Sequence, residues 1–314
     1  MVVPAIIARD GTPLGNFAFG TMQFGDGSDE AESAACFEAC REAGITAFDC
    51  AWVYTNGRAE EILGRISKAD RESLILTTKG AYVGGASPAN LEAQLADSLR
   101  RLGTDYVDIY FLHRFDDDTP LEDTFATLAA WQRDGRIRHI GVSNYAAWQV
   151  MKAQAVAAAL GTRIDVIQPM YNLVKRQAEV ELFPMCLAEG IATTPYSPLG
   201  GGLLTGKYVG DGAGGGRLSH DDRYATRYGT DWMHAAAQGL TALAADAGAH
   251  PATLAVAWAG AHPGVTAPLL SARTVAQLRP SLAAMTHMLD PDLKARLDAL
   301  APTPAPATDR TEEA

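Results

Sequence analysis

The sequence is poor in cysteine, and its cysteines are not spaced as metal ligands. The four residues, Cys36, Cys40, Cys50 and Cys186, form no CxxC pair. Cys36 and Cys40 share a face of a predicted helix, where two small apolar side chains facing a core are commoner than a metal-ligand pair. The N-terminus has no signal-peptide pattern. We therefore expect a reduced, cytoplasmic protein.

Positive charge is also scarce. The chain has 26 Lys and Arg residues against 37 Asp and Glu residues, a net charge of -11 and a pI near 5.1. This balance argues against a nucleic-acid or anionic-membrane partner, although a few local cations can still hold a phosphate-bearing small molecule. The hydrophobic fraction of 47% and the charged fraction of 20% are typical of a globular protein and exclude disorder for the body of the chain.

No hydrophobic run is suited to crossing a membrane. Residues 247–272 contain no Asp, Glu, Lys or Arg and are long enough to span a bilayer. However, Pro251, Pro263 and Pro268 divide this stretch, and proline interrupts helices. We expect a short helix, a turn and a strand here, and no membrane partner.

Short apolar runs alternate with helical patterns along most of the chain. A β-hairpin is predicted around the Asp10-Gly11 turn. Strands are predicted at 17–20, 45–49, 74–79, 106–112, 137–142, 164–168, 191–195 and 265–270. Helices are predicted near 30–43, 59–68, 88–102, 121–133, 145–160, 175–189, 232–248 and 274–287. Eight strands, each followed by a helix, predict a parallel (β/α)8 TIM barrel, with a doubly wound α/β sheet as the alternative.

The same pattern sets the domain limits. Residues 1–300 are predicted as a single barrel domain, because barrels of this size fold as one unit. Residues 206–231 are rich in glycine and predict a long loop after strand seven, of the kind that often serves as a lid or binding loop. The tail 301–314 is rich in Pro, Ala and Thr, and we expect it to be disordered.

Polar or ionisable residues end most of the predicted strands. They are Asp49, Lys79, His113, Ser143, Asn144, Gln168, Tyr196, Ser197, Ser271 and Arg273. Core packing does not explain them, because parallel barrel strands are buried on both faces. The carboxyl ends of barrel strands converge on the face where active sites are built. The sequence therefore predicts a candidate active site at this face.

Three of these residues, together with Tyr54, suit one kind of chemistry. Tyr54, in the loop after Asp49, carries a phenol that is a weak acid unless its phenolate is stabilised. An ammonium from Lys79 would lower the pKa of the phenol, and Asp49 would keep the ammonium charged and oriented. His113 could hydrogen-bond a substrate oxygen. Each residue alone could be structural, but the set suits protonation of an oxygen whose carbon receives a hydride.

An ordered series of motifs from the hairpin to about residue 300 resembles the aldo-keto reductase family. The motifs are Gly20-Thr21-Met22-Gln23-Phe24-Gly25, Phe48-Asp49-Cys50-Ala51 with Tyr54, Asn56-Gly57-Arg58-Ala59-Glu60-Glu61-Ile62-Leu63-Gly64, Thr78-Lys79-Gly80, Leu112-His113, Gly141-Val142-Ser143-Asn144, Gln168-Pro169-Met170-Tyr171-Asn172 and Tyr196-Ser197-Pro198-Leu199-Gly200. The ordered series is far more specific than any one of its members.

The resemblance implies a (β/α)8 barrel that binds NADPH without a Rossmann domain. It implies Tyr54 as proton donor, Lys79 and Asp49 as its tuning pair, and His113 as the residue that orients the substrate. Ser143, Asn144 and Gln168 would bind the carboxamide, and Tyr196 would stack on the nicotinamide ring. The full set of implied cofactor-binding residues is Gly20, Thr21, Met22, Asp49, Ser143, Asn144, Gln168, Tyr196, Ser197, Pro198, Leu199, Gly200, Gly202, Leu203, Ser271, Arg273, Gln277 and Ser281.

The adenosine end departs from the family pattern. Arg273 is the candidate for binding the 2′-phosphate, because a guanidinium matches phosphate geometry. Pro280-Ser281 replaces a common Glu-Asn pair that contacts adenine, so NADH stays an alternative cofactor.

An apolar substrate pocket is expected near the active face. The candidate substrate-binding residues are Phe24, Trp52, Tyr82 and His113. Trp52 stands where relatives usually carry Asp. The three aromatic residues could equally be packing residues.

We expect NADPH-dependent reduction of an aldehyde or ketone, or the reverse alcohol oxidation, with a small-molecule partner and no metal. The alternative is a cofactor-binding regulatory or redox-sensing subunit with little turnover. The natural substrate, the direction in the cell and the oligomeric state do not follow from the sequence.

Overall fold

The computed structural model describes residues 5–209, 216–310 and 312. In this part of the chain eight short parallel strands alternate with helices. The strands are β1 (Ala18–Gly20), β2 (Ala47–Asp49), β3 (Ile75–Gly80), β4 (Val107–Leu112), β5 (Ile137–Ser143), β6 (Val166–Gln168), β7 (Ala192–Thr193) and β8 (Leu269–Leu270). All eight lie inside or within one residue of the predicted runs. Several are only two or three residues long.

The strands form a closed barrel. Neighbours pair in parallel in the order β7-β6-β5-β4-β3-β2-β1-β8. The ring is completed by backbone hydrogen bonds between the segment leading into β8 and the end of β7, in which Ala267 N donates to Thr193 O at 3.1 Å and Leu269 N donates to Pro195 O at 2.9 Å. The predicted (β/α)8 barrel is confirmed, and the doubly wound alternative is wrong.

Twelve α-helices lie within the described residues. They are α1 (Glu30–Glu42), α2 (Arg58–Ile66), α3 (Pro88–Leu102), α4 (Leu121–Arg133), α5 (Ala147–Ala159), α6 (Leu182–Glu189), α7 (Arg217–His220), α8 (Asp222–Tyr228), α9 (Asp231–Asp246), α10 (Pro251–Gly260), α11 (Val275–Ala283) and α12 (Pro291–Asp298). Short 3-10 helices span Tyr54–Gly57, Lys68–Ser73, Gln177–Glu179 and Gly200–Thr205.

Three helices are absent from the sequence prediction. α7 and α8 lie inside the segment predicted as a glycine-rich loop, whose residues 210–215 fall outside the described part of the chain. For α12 the sequence does contain a helix-start signal, namely Asp290 followed by Pro291. In the structure Asp290 caps this helix, and its Oδ1 accepts a hydrogen bond from Leu293 N at 2.8 Å.

The stretch that lacks charges folds as expected. It forms α10, a turn and β8, and α10 is buried along most of its length. Within the described residues, no helix has the length and apolar character that crossing a membrane requires.

A small cluster fills the amino-terminal end of the barrel. It includes Ile6, Ala18, Ala47, Ile75 and Val166. The N-terminal hairpin closes this end, since Leu14 N donates to Ile6 O at 2.8 Å and Arg138 Nη1 donates to Ile7 O at 2.6 Å. The hairpin is seen only from residue 5 onward. Apolar side chains and the hairpin therefore cover the amino-terminal end of the barrel.

Candidate active site

The alternation of side chains along the strands aims the predicted catalytic residues into the barrel. Ala47 and Ile75 face the interior, so Asp49 and Lys79, which lie two and four residues later, face it too. Phe111 fills the interior beneath them, and its ring lies 5.8 Å from Lys79 Nζ. The strands therefore place the two charges together above an apolar floor.

Lys79 is the centre of the cluster. Its side chain is buried, and Nζ donates to Asp49 Oδ2 at 2.5 Å, to Cys50 O at 2.7 Å and to Tyr54 Oη at 3.5 Å. An ammonium has three protons, so each of them has an acceptor. The side chain is thus fixed with one proton directed at the phenol oxygen.

Asp49 is equally constrained. Its Oδ1 accepts from Thr77 Oγ1 at 2.8 Å and from Gln168 Nε2 at 2.9 Å, while Oδ2 faces Lys79. Buried charges are tolerated when they are paired and hydrogen-bonded, as both members of this pair are. Asp49 therefore links the lysine to Gln168 on the far side of the barrel.

Tyr54 lies on a strained turn. Thr55 and Asn56, which follow it, have φ of 47° and 53°, in the left-handed region that non-glycine residues rarely adopt. The turn is held by Thr55 Oγ1, which donates to Phe24 O at 2.9 Å and accepts from Ala59 N at 2.9 Å at the start of α2. These contacts hold the phenol over the Lys79 ammonium.

The expected acidification of Tyr54 is not what the structure shows. Burial, and next the charge of Asp49, raise the pKa of Tyr54 well above its ordinary value. The net shift of the Tyr54 pKa is therefore upward, and the lowering by Lys79 stays a prediction. The phenol stays protonated at neutral pH, with the ammonium in position to stabilise a phenolate that forms during a reaction.

His113 completes the group. Its ring meets that of Tyr54 edge-on at 5.8 Å, and its Nδ1 is buried with no hydrogen-bond partner among the described residues. Burial, followed by the charges of Lys79 and Arg114, lowers the pKa of His113 to about 3. The imidazole is therefore neutral at physiological pH and can hydrogen-bond an uncharged oxygen.

The residues predicted to bind a carboxamide lie at the same end of the barrel. Ser143 Oγ donates to Gln168 O at 2.9 Å, Asn144 Nδ2 donates to His113 O at 3.0 Å, and Tyr196 Oη donates to Asn144 Oδ1 at 2.7 Å. The group offers a hydroxyl, two amides and an aromatic face. A nicotinamide needs these groups, so the residues present fit it.

The segment after β7 has the backbone of a tight loop. Ser197 and Gly200 to Gly202 have positive φ, and Leu203 is buried beneath them. A Cβ on Gly202 would lie 2.8 Å from Lys207 Nζ, so a cation lies against this turn. A left-handed turn beside a cation suits a diphosphate, which fits the prediction for Ser197, Pro198, Leu199, Gly200, Gly202 and Leu203.

The first strand contributes less than its motif suggests. Gly20 pairs with Asp49 in the sheet, and the Thr21 hydroxyl is buried and donates to Asp49 O at 2.9 Å. Met22, 36% exposed, is the one of these three residues that offers a side chain to the open face.

The four residues predicted to bind the adenosine part of the cofactor differ in exposure. Arg273 is exposed, with its Nε donating to Gln23 Oε1 at 3.1 Å, and its backbone N–H donates to Gln277 Oε1 at 3.3 Å. Ser271 and Gln277 are exposed as well. Ser281 is fully buried, and its hydroxyl has no partner in the described part of the chain. Its side chain does not reach the surface that the other three share.

The three aromatic candidates for substrate binding differ in position. Phe24 is fully buried, with its ring 5.9 Å from that of Phe19, so it belongs to the core. Trp52 is held against α3, with Nε1 donating to Asp97 Oδ2 at 3.4 Å. Tyr82 is 44% exposed, and its ring lies 5.0 Å from that of His113. Tyr82 alone has an open surface beside the catalytic group.

Sequence reasoning missed Tyr224 and Arg114 near this site. Tyr224 lies on α8, close enough to Tyr54 to contribute to the rise of its pKa, and it packs on Gly201. No signal pointed to it, because α8 itself was not predicted. Arg114 could have been found, since it directly follows His113.

The comparisons with known proteins agree with this geometry. The model of the "Aldo/keto reductase family" matches residues 16–302. The chain belongs to this family. Its members generally reduce carbonyl groups with NADH or NADPH.

Individual relatives are between 31% and 38% identical to this chain. "Uncharacterized oxidoreductase YrpG" of Bacillus subtilis (strain 168) is 31% identical over 325 residues, covering 96% of this chain and 97% of the relative. "Aldo-keto reductase family 7 member A3" of Homo sapiens is 38% identical over 207 residues, covering 64% of this chain and 61% of that protein, less than two thirds of its length. "Probable voltage-gated potassium channel subunit beta" of Oryza sativa subsp. japonica is 36% identical over 236 residues, covering 70% of this chain and 69% of that protein.

Proposed function

We propose that this protein catalyses the NADPH-dependent reduction of an aldehyde or ketone to an alcohol, or the reverse reaction. The observation that carries the proposal is the contact of Lys79 Nζ with both Asp49 and Tyr54 beside the neutral His113. This arrangement holds a protonated phenol next to a fixed ammonium. It suits an oxygen that gains negative charge during the reaction.

Bound NADPH would supply the hydride that this chemistry needs. Asn144, Gln168 and Ser143 would hold the carboxamide, and Tyr196 would carry the ring. The turn at Gly200 and Gly202 would receive the diphosphate. The donors present at these positions support this arrangement.

The protein's own residues act on the substrate oxygen. His113 hydrogen-bonds the carbonyl oxygen and fixes the carbonyl group in position. Tyr54 gives its phenolic proton to that oxygen as a new C–H bond forms at the carbonyl carbon. Lys79 stabilises the phenolate that remains, and Tyr54 then takes a proton back from solvent.

We assign NADPH rather than NADH because of Arg273. Its guanidinium is exposed beside the start of α11, and both a guanidinium and a helix N-terminus favour a phosphate group. The burial of Ser281 leaves the adenine base without that predicted contact, so NADH remains an alternative cofactor.

The compartment that we propose is the cytoplasm. All four cysteines are free and buried, which fits a reducing environment. The partner that we propose is a small carbonyl compound or alcohol.

The direct test follows the loss of NADPH absorbance with a panel of aldehydes and ketones. We expect turnover with at least one aldehyde, and measurable binding of NADPH in the absence of substrate. Tight NADPH binding without turnover of any carbonyl compound would contradict the proposal.

That outcome would favour the second candidate, a regulatory subunit that uses the cofactor mainly as a sensor. The observation in its favour is the rice relative, which is named a probable potassium channel subunit beta. The complete set of Tyr54, Lys79, Asp49 and His113 argues for turnover, although slow turnover would be compatible with both roles.

A further inference from the structure

Arg114 is a cation at the rim of the candidate active site that forms no ion pair with the described residues. It directly follows His113, its side chain is exposed, and no carboxylate among the described residues lies within ion-pair distance of it. The contact it makes is with the Tyr82 ring, whose centroid is 5.3 Å from the guanidinium carbon. An arginine held by an aromatic ring, with no carboxylate partner, can bind an anion from outside the protein.

A chain of ring contacts ties Arg114 to the reaction centre. The Tyr82 ring is 5.0 Å from the His113 ring, which is 5.8 Å from the Tyr54 ring. The charge of Arg114 is also near enough to contribute to the lowered pKa of His113. A substrate whose carbonyl group lies at Tyr54 and His113 would therefore reach Arg114 with a group a few bonds away.

Asp116 is an acidic side chain whose pKa Arg114 affects. Burial opposes the shift, but three hydrogen bonds and, last, the charge of Arg114 lower the pKa of Asp116. Asp116 Oδ2 accepts from Ala86 N at 2.7 Å and from Thr119 Oγ1 at 2.6 Å, and its Oδ1 accepts from Asp118 N at 3.1 Å. These bonds hold Asp116 in its own loop. The Arg114 guanidinium therefore remains available to a ligand.

Stacking on Tyr82 also prepares the guanidinium for recognition. A stacked guanidinium keeps the N–H groups at its edge directed outward, and those groups match the two oxygens of a carboxylate. Asp116, Asp117 and Asp118 follow closely in the chain. One cation near three acidic residues favours a singly charged carboxylate over a doubly charged phosphate.

We propose that Arg114 binds a carboxylate on the substrate, so that the preferred substrates are carbonyl compounds that also carry a carboxylate. This inference rests on the proposed carbonyl reduction. It adds a substrate class and a specificity-determining residue.

The test compares 4-carboxybenzaldehyde with its methyl ester, methyl 4-formylbenzoate, as substrates with NADPH. The two are similar in shape but differ in charge, and the ester makes its aldehyde more electrophilic, so intrinsic reactivity opposes the predicted preference. The quantity measured is the ratio of kcat/KM for the acid to that for the ester. It is measured in the parent protein, in Arg114→Gln, in Arg114→Lys and in Arg133→Gln.

The control variant is matched in charge. Arg133 is an exposed arginine in the last turn of α4, so Arg133→Gln removes the same charge far from the carboxyl ends of the strands. It reports any change that the net charge alone would cause.

We expect the ratio to fall about 10-fold in Arg114→Gln, the lower end of what a hydrogen bond to a charged group contributes. Arg114→Lys should keep part of the preference, and Arg133→Gln should keep all of it. A ratio that is equal in the parent and in Arg114→Gln would overturn the inference while leaving the proposed function intact.

Two further outcomes are decisive. If the parent reduces neither aldehyde and no other carbonyl compound, the proposed function and this inference both fail. If 4-formylphenyl phosphate is preferred over the carboxylate and Arg114→Gln abolishes that preference, the site recognises phosphate and the carboxylate assignment is wrong.

Discussion

The arginines at the two ends of the barrel differ in whether they form ion pairs. At the amino-terminal end, Arg71 and Arg138 each lie 2.9 Å from a carboxylate oxygen of the fully buried Asp108. At the carboxyl end, Arg114 and Arg273 are exposed, and neither has a carboxylate within ion-pair distance among the described residues. Compensated charges serve the fold, whereas cations without acidic partners are available to a ligand.

The histidines show the same contrast. Near the amino-terminal end, His139 Nδ1 lies 3.1 Å from Asp165 Oδ2. Near the carboxyl end, His113 Nδ1 is buried with no partner among the described residues. A polar group left unsatisfied costs stability, and the unpartnered Nδ1 of His113 fits the substrate-orienting role proposed for this residue.

The amino-terminal end of the barrel also has a concave surface. A depression of about 920 Å³ at the amino-terminal end is lined by Arg9, Arg71, Arg100 and Arg136. Each of these arginines has a carboxylate within 4 Å: Arg9 with Glu72, Arg71 with Asp108, Arg100 with Asp97 and Arg136 with Glu92. Their charges are compensated within the protein, so the depression is not assigned as a ligand site.

The largest effect is expected on kcat, from removing the phenolic oxygen of Tyr54 at the carboxyl end of the barrel. Tyr54→Phe should reduce kcat with an aldehyde by roughly 100-fold or more, because general-acid catalysis contributes on this scale. NADPH binding, followed by titration, should stay close to that of the parent. If turnover remains within a few-fold of the parent, Tyr54 is not the proton donor.

The matching change at the amino-terminal end should affect stability and leave catalysis intact. Asp108→Asn leaves Arg71 and Arg138 without their carboxylate and should lower the free energy of unfolding by about 3 kcal/mol, the scale for a broken buried ion pair. Denaturant unfolding measures this loss. The kcat of the folded fraction should be unchanged. A large fall in kcat would contradict the assignment of a purely structural role to the amino-terminal ion pairs.

A change at Arg273 should have a smaller effect, and one that is selective for NADPH binding. Arg273→Ala should weaken NADPH binding by about 10-fold or more, the scale of a charge-assisted hydrogen bond, and should leave NADH binding nearly unchanged. Fluorescence titration with both cofactors measures the two affinities. Equal losses would mean that Arg273 contacts something other than the 2′-phosphate.

The effect that is smallest at neutral pH is a slope in stability against pH. The pKa of His113 is lowered from 6.5 to about 3 in the folded protein, so the unfolded chain binds the proton more readily between these values. Stability from this group is therefore present above pH 6.5 and is lost as the pH falls toward 3, by at most about 1.4 kcal/mol per unit.

His113→Gln should flatten this part of the curve, which chemical unfolding at several pH values would reveal. An unchanged slope in that variant would show that His113 keeps an ordinary pKa in the folded state. The neutral state assigned to His113 in the folded protein would then lose its support.

The sequence carried the order of the strands and the polar residues that end them, because strand periodicity and the carboxyl-end rule are local signals. Asp49, Lys79 and His113 meet as that rule predicts. What depends on packing did not follow. The burial of Phe24 and Ser281 is decided by neighbouring elements, and the pKa of Tyr54 by the degree of its burial.

The segment after β7 shows the same limit. Its glycines favour a loop, and nothing in the spacing of its apolar residues predicts α8. That helix brings Tyr224 toward Tyr54. A helix of only seven residues depends on tertiary contacts more than on its own propensity.

The most direct test of the account is a crystal structure of the complex with NADP+. We predict the nicotinamide ring on Tyr196, its carboxamide hydrogen-bonded to Asn144 and Gln168, and its reactive carbon facing the phenol of Tyr54. A cofactor bound at the amino-terminal end, or a ring placed away from Tyr54 and Lys79, would contradict the account.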